Sequence, residues 1–184
     1  MENKRITLFC GHYGSGKTNV AVNFAMLLKE HSDKVMVADL DIVNPYFRSK
    51  DSLNDFNDLG IRLVCSEYAN TNVDIPALPQ EIYAITDDKS YKVIVDVGGD
   101  DRGALALGRL APEILKENDY QMLMVVNKYR PLTKNVDLAI EVMKEIEDAC
   151  KIPFTGIVNN SNLGEITTVK DVIDSISYAE EISI

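Results

Sequence analysis

Apolar positions along the chain follow two rhythms in alternation. Short continuous apolar runs stop at a glycine, an asparagine or a carboxylate, and between them apolar residues recur every three or four positions. Ile6–Cys10 is the first run and ends at Gly11, as a buried parallel strand does. From Lys17 to His31 the period becomes helical, with Val20, Ala21, Phe24, Ala25, Leu27 and Leu28 on one stripe. Val35–Asp39, Ile61–Cys65, Lys92–Val97, Gln121–Asn127 and Pro153–Asn159 read as five further strands. Helices are predicted over Ala104–Lys116, Asn135–Cys150 and Val169–Ile184; in the second, Val136, Ala139, Ile140, Met143 and Ile146 share a face. Asp51–Gly60 and Tyr68–Pro79 hold neither period and read as irregular surface segments.

Strands alternating with helices predict an α/β fold: a mostly parallel sheet with helices on both faces, in a single domain over residues 1–184. Right-handed crossovers put every strand's C-terminal end on one edge, where such sheets bind ligands. The segments Gly11–Thr18, Asp39–Pro45, Asp96–Asp101 and Asn159–Asn160 are therefore expected to meet in space.

Composition narrows the function classes. With 46% hydrophobic and 26% charged residues, the chain has ordinary globular usage. No apolar run reaches the roughly 20 residues of a membrane span, and the N-terminal residues lead directly into a strand without a secretory pattern. Cys10, Cys65 and Cys150 are far apart, which suits a reducing cytoplasm and no zinc site. A formal charge of −10 with dispersed basic residues argues against nucleic acid and anionic membranes as partners.

The segment between the first strand and the first helix carries the chemistry. Gly11-His12-Tyr13-Gly14-Ser15-Gly16-Lys17-Thr18, followed by Asn19, matches G-x-x-x-x-G-K-[ST] in the context that motif requires. Its glycines let backbone amides converge on one anion, and the helix N-terminus adds partial positive charge. Lys17 is expected to reach the β- and γ-phosphates and Thr18 to hold Mg²⁺. Lys92–Asp96 is an apolar strand ending in an aspartate, the form in which a second magnesium residue is presented. Gly98 and Gly99 follow, and a Gly99 amide there can sense the γ-phosphate. Asp39 and Asp41, two apart in an extended segment, fall on one side of the second strand, suited to ordering water around the metal. Ordinary strand-end turn chemistry would also place aspartate and glycine at these positions.

Asn159, closing the sixth strand, carries an amide that can pair with a purine edge, although an asparagine in a loop needs no ligand. Asn127-Lys128-Tyr129-Arg130 has arginine where a guanine-reading N-K-x-D motif carries aspartate, so the nucleotide is read as ATP.

These motifs resemble the ParA/MinD group of P-loop ATPases, the CobQ/CobB/MinD/ParA nucleotide-binding family, which includes dethiobiotin-synthetase relatives. The resemblance rests on Gly11–Thr18, Asp39-x-Asp41 and Asp96-x-Gly98-Gly99 and runs from residue 5 to about 165. It implies Asp41 as the water-orienting residue with Asp39 beside it, Asp96 as a metal residue with Thr18 and Asp41, and Asn159 as an adenine contact. It also implies slow ATP hydrolysis acting as a nucleotide switch, read by an unidentified protein partner or through a nucleotide-dependent homodimer. The alternative is a biosynthetic enzyme that phosphorylates a small carboxylate or amine, with Arg102, Arg109 and Tyr46 as substrate contacts. Switch-type members carry a lysine at the second P-loop position, where this chain has His12, so Arg48, Arg102 or Lys128 would have to supply that charge. Members usually continue further, which implies a C-terminal element beyond Ile184.

Overall fold

The computed structural model describes residues 4–41, 53–65, 80–99 and 101–182, without the side chains of 53–55, 65, 101 and 102. Six parallel strands form one sheet: β1 (Ile6–Cys10), β2 (Val35–Leu40), β3 (Arg62–Cys65), β4 (Lys92–Val97), β5 (Tyr120–Val126) and β6 (Gly156–Asn159), in the order β3-β2-β4-β1-β5-β6. Helix α1 (Lys17–Lys29) and α2 (Leu53–Leu59) follow β1 and β2. A short α3 (Ala84–Asp87), entered through a tight turn at Gln80–Tyr83, precedes β4. Then come α4 (Asp101–Gly108), α5 (Ala111–Glu117), α6 (Val136–Cys150), α7 (Val169–Asp174) and α8 (Ile176–Ile182).

The period of two along the strands divides the core. Phe9, Val37, Ile94 and Val125 pack with Ala21, Ala25 and Leu28 of α1 and with Phe56 of α2. Leu8, Cys10, Met36, Val95, Met122 and Met124 point the other way, toward Leu107 of α4, Ile114 of α5, Ala139 of α6 and Tyr178 of α8. Both faces are thus covered, and the inner strands β1, β2 and β4 are buried along nearly their whole length, as all-parallel sheets require.

Three expected elements differ in detail. The single helix expected over Ala104–Lys116 is two, because the chain turns at Arg109-Leu110 and Pro112 sits in the first turn of α5, where its missing amide costs nothing. The last helical stretch breaks at Ser175, whose buried hydroxyl donates to the Val172 carbonyl at 2.7 Å. Within Asp51–Gly60, Leu53–Leu59 is helical and anchored by the fully buried Phe56, a tertiary effect that one large apolar residue among polar neighbours does not announce. Tyr68–Pro79 lies outside the described residues.

Helix α4 is docked closely at both ends. A methyl group on Gly103 would lie 2.6 Å from the Gly98 amide nitrogen, and one on Gly108 would lie 3.3 Å from the Ala149 carbonyl of α6. At the opposite edge of the sheet, Arg5 is buried and donates to the Ile85 carbonyl at 3.0 Å and to the Glu117 carboxylate at 2.7 Å. Arg5 ties that edge together, while the carboxyl edge carries the candidate site.

Candidate functional site

Strand β1 delivers the chain to the carboxyl edge at Cys10, and the loop Gly11–Gly16 turns directly into α1. The Ser15 amide donates to the His12 carbonyl at 3.2 Å, closing the loop on itself. Gly16 precedes α1 in a left-handed conformation with no side-chain cap, and the first turn of the helix has no acidic side chain. The amides at this helix end therefore face no competing carboxylate of their own turn, the arrangement that suits an anion. Lys17 is buried and its ammonium donates to the His12 carbonyl at 3.3 Å, arched back over the loop.

The carboxylates arrive by strand register. Phe9 of β1 pairs with Asp96 of β4, and Asp96 pairs with Asp39 of β2. Register partners in a parallel sheet share a face, so both aspartates lie on the α1 side, as Ile94 and Val37 do two residues earlier. Thr18, in the first turn of α1, donates its hydroxyl to Asp96 Oδ2 at 2.6 Å. Asp39 is buried and its Oδ1 accepts the Asp41 amide at 2.9 Å, which turns the chain as β2 ends. Burial raises the Asp96 carboxyl to about 6; the Thr18 hydrogen bond and Lys17 pull the other way, and Asp41 adds to the rise.

Two buried side-chain oxygens of this region, Asp96 Oδ1 and Ser15 Oγ, have no hydrogen-bond partner among the described residues. Orphaned buried acceptors are rare and call for a partner of their own. A carboxylate oxygen with a threonine hydroxyl beside it suits a divalent cation that takes its remaining ligands from phosphates and water, as Mg²⁺ does. Among the described residues no group of three His, Cys, Asp or Glu side chains could hold a metal unaided.

Gly99 closes the site from β4. A methyl group there would lie 2.7 Å from the Tyr13 amide nitrogen and 3.0 Å from Lys17 Nζ, so the segment after β4 rests on the loop backbone itself.

The last strand brings Asn160 to the phosphate loop and turns Asn159 toward Ser175. Asn159 donates to Ser175 Oγ at 2.9 Å and accepts the Ser161 amide at 3.2 Å, so its amide is used inside the protein. Asn160 instead donates to the Ser15 carbonyl at 2.7 Å and lies against Gly16. The reason is parity. Ile157 packs on the α6 and α8 face and Val158 on the α1 face, so Asn159 follows the first and Asn160 the second. That signal was available in the alternation of the strand. Arg130, which the sequence uses only as a departure from the guanine-reading motif, also comes to the loop: its guanidinium lies beside Gly14.

Of the other candidates, Lys128 donates to the Asp174 carbonyl at 2.8 Å, directed at α7 and not at the loop. Arg109 follows the far end of α4, about one 12 Å helix length from the end that begins beside Gly99. Tyr46, Arg48 and the side chain of Arg102 lie outside the described residues.

A family model, the CobQ/CobB/MinD/ParA nucleotide-binding domain, matches residues 6–181. The chain belongs to this family. Compared by sequence with curated proteins, this CobQ/CobB/MinD/ParA domain matches none. Its fold is that of solved P-loop proteins. The signal recognition particle receptor FtsY from Elizabethkingia anophelis is 17% identical with a TM-score of 0.57, over 99% of this chain and 57% of that one. FtsY from Mycoplasma mycoides is 16% identical with a TM-score of 0.55, over 98% and 68%. A nucleotide-binding protein from Archaeoglobus fulgidus in complex with ADP is 14% identical with a TM-score of 0.51, over 96% and 78%. The chain thus spans little more than half the length of the first of these. It is a P-loop nucleotide-binding protein. Among the described residues no helix is long and apolar enough to cross a membrane.

Proposed function

We propose that the chain is a magnesium-dependent ATPase that hydrolyses slowly and works as a nucleotide switch. The observation that carries this reading is the double contact of the end of β4 with the phosphate-loop region: Asp96 bonded to Thr18, and Gly99 resting on Tyr13 and Lys17. In this reading the loop amides from Gly11 to Gly16 and the first turn of α1, including Asn19, bind the phosphates, and Lys17 stabilises charge on them. Thr18, Asp96 and, through water, Asp41 would hold the magnesium ion, which would neutralise developing phosphate charge. Asp39 fixes the turn that presents Asp41, and Asp41 orients the attacking water. ATP is favoured because Arg130 stands where a guanine-reading aspartate would be.

The switch follows from what Gly99 touches. Its neighbour Gly98 lies against Gly103 in the first turn of α4, so a change at the phosphate loop is passed to a helix. Amide hydrogen exchange in the ATP-analogue and ADP forms tests this. Residues Asp96–Gly103 are expected to be more protected with the analogue; identical exchange in both forms would end the switch reading.

A further inference from the structure

Arg130 is held in place by a buried polar scaffold. Asn127 is almost wholly buried, and its carbonyl accepts both the Arg130 amide at 3.0 Å and the Thr133 hydroxyl at 2.7 Å. The Thr133 amide returns to the Arg130 carbonyl at 3.1 Å, and Pro131 stiffens the turn between them. The Asn127 side chain accepts the Tyr129 amide at 3.0 Å and donates to the Asn162 carbonyl at 3.2 Å. One asparagine therefore clamps together the segment that carries Arg130 and the segment that carries Asn160.

Both segments meet the phosphate loop, from different sides. Asn160 bonds the Ser15 carbonyl, whereas Arg130 Nε, Cδ and Cζ lie 3.7, 3.8 and 3.9 Å from the position a Cβ on Gly14 would take. The guanidinium is exposed and makes no hydrogen bond or ion pair with any described residue. A scaffold this well satisfied, presenting a planar cation with no acceptor among the described residues beside an anion-binding loop, is built for a ligand. Guanidinium suits phosphate oxygens through paired N–H donors. His12, at the start of the same loop, turns its Nδ1 to the Tyr13 carbonyl at 3.1 Å and offers no such fixed charge.

We propose that Arg130 is a nucleotide-contacting residue whose guanidinium reaches over the rim of the phosphate loop at Gly14 and binds the polyphosphate of a nucleotide held by the same chain. This rests on the nucleotide site proposed above. Equilibrium titrations with fluorescent adenosine mono-, di- and triphosphate analogues, the last non-hydrolysable, test it with Mg²⁺ present. Arg130→Gln should weaken the triphosphate analogue about tenfold or more, the diphosphate less and the monophosphate little. Arg130→Lys, which keeps the charge but not the paired donors, should recover only part of the loss, and unchanged thermal melting would show that the fold is intact. Wild-type affinity in Arg130→Gln, with binding still abolished by Lys17→Ala, would overturn the inference alone. An equal loss for all three nucleotides would place the guanidinium on the base and overturn the polyphosphate contact. Wild-type protein that binds none of them would overturn both this and the underlying site.

Discussion

At the scale of single residues, Gly99 and Asp96 make the sharpest demands. The Gly99 position leaves no room for a side chain against the Tyr13 backbone, so Gly99→Ala must push the loop aside. Nucleotide affinity is expected to fall by about tenfold or more with little change in far-ultraviolet circular dichroism, since a displacement of 1 Å in a binding site has effects of this size or larger. Asp96 makes a prediction about pH. Its folded value of about 6 lies above the ordinary 3.8, so the folded chain takes up this proton before the unfolded one as pH falls. The group's contribution to stability therefore grows as pH drops through about 6, is complete below about 4, and is lost again on raising the pH. Measured by denaturant unfolding with chelator and without nucleotide, wild type should gain up to about 3 kcal/mol relative to Asp96→Asn between pH 7 and pH 4. A constant difference between the two proteins over that range would contradict it.

Among the elements, Asn127 joins the β5 turn to the segment after β6. Asn127→Ala would leave the Tyr129 amide and the Asn162 carbonyl without their partner, at a cost of about 1–3 kcal/mol. Unfolding should detect that loss, and nucleotide affinity should fall with it because Arg130 and Asn160 both lose their placement; full affinity in the variant would separate the clamp from the site. The sequence shows Asn127 as a strand end and as the first residue of a departed N-K-x-D pattern, but not as a clamp, since its partner Asn162 lies 35 residues away. Strands were legible because a sheet buried on both faces needs continuous apolar runs, and Gly11–Thr18 because its chemistry requires that spacing. Strand parity is equally legible: Ile157 and Val158 face opposite ways, which separates Asn159 from Asn160. Helix α2 was hidden because its stability comes from burying Phe56 under α1, which no local period records.

For the whole molecule, the switch reading proposed above calls for a reader of the bound nucleotide. Tyr13 on the phosphate loop is 58% exposed, and Leu132 and Leu163 in adjoining turns are 48% and 42% exposed, so apolar side chains stand on segments that border the site. The homodimer reading expects light scattering to give twice the chain mass with Mg²⁺ and a non-hydrolysable ATP analogue, and the single mass with ADP. One mass in both states, with nucleotide shown to be bound, would assign the readout to a different protein or to a small-molecule reaction.

The glycine contacts at the two ends of α4 bear on how such a signal travels. Where Gly98 meets Gly103, and where Gly108 meets the end of α6, backbone lies against backbone. Side chains buffer motion by hopping between rotamers; a joint without them has no such slack. Under the switch reading proposed above, a shift of Gly98 would translate α4 as a rigid rod and deliver the push to α6 on the side of the sheet away from α1. The chemistry and its listener can thus sit on opposite faces of the molecule, linked by a pushrod two glycines make stiff.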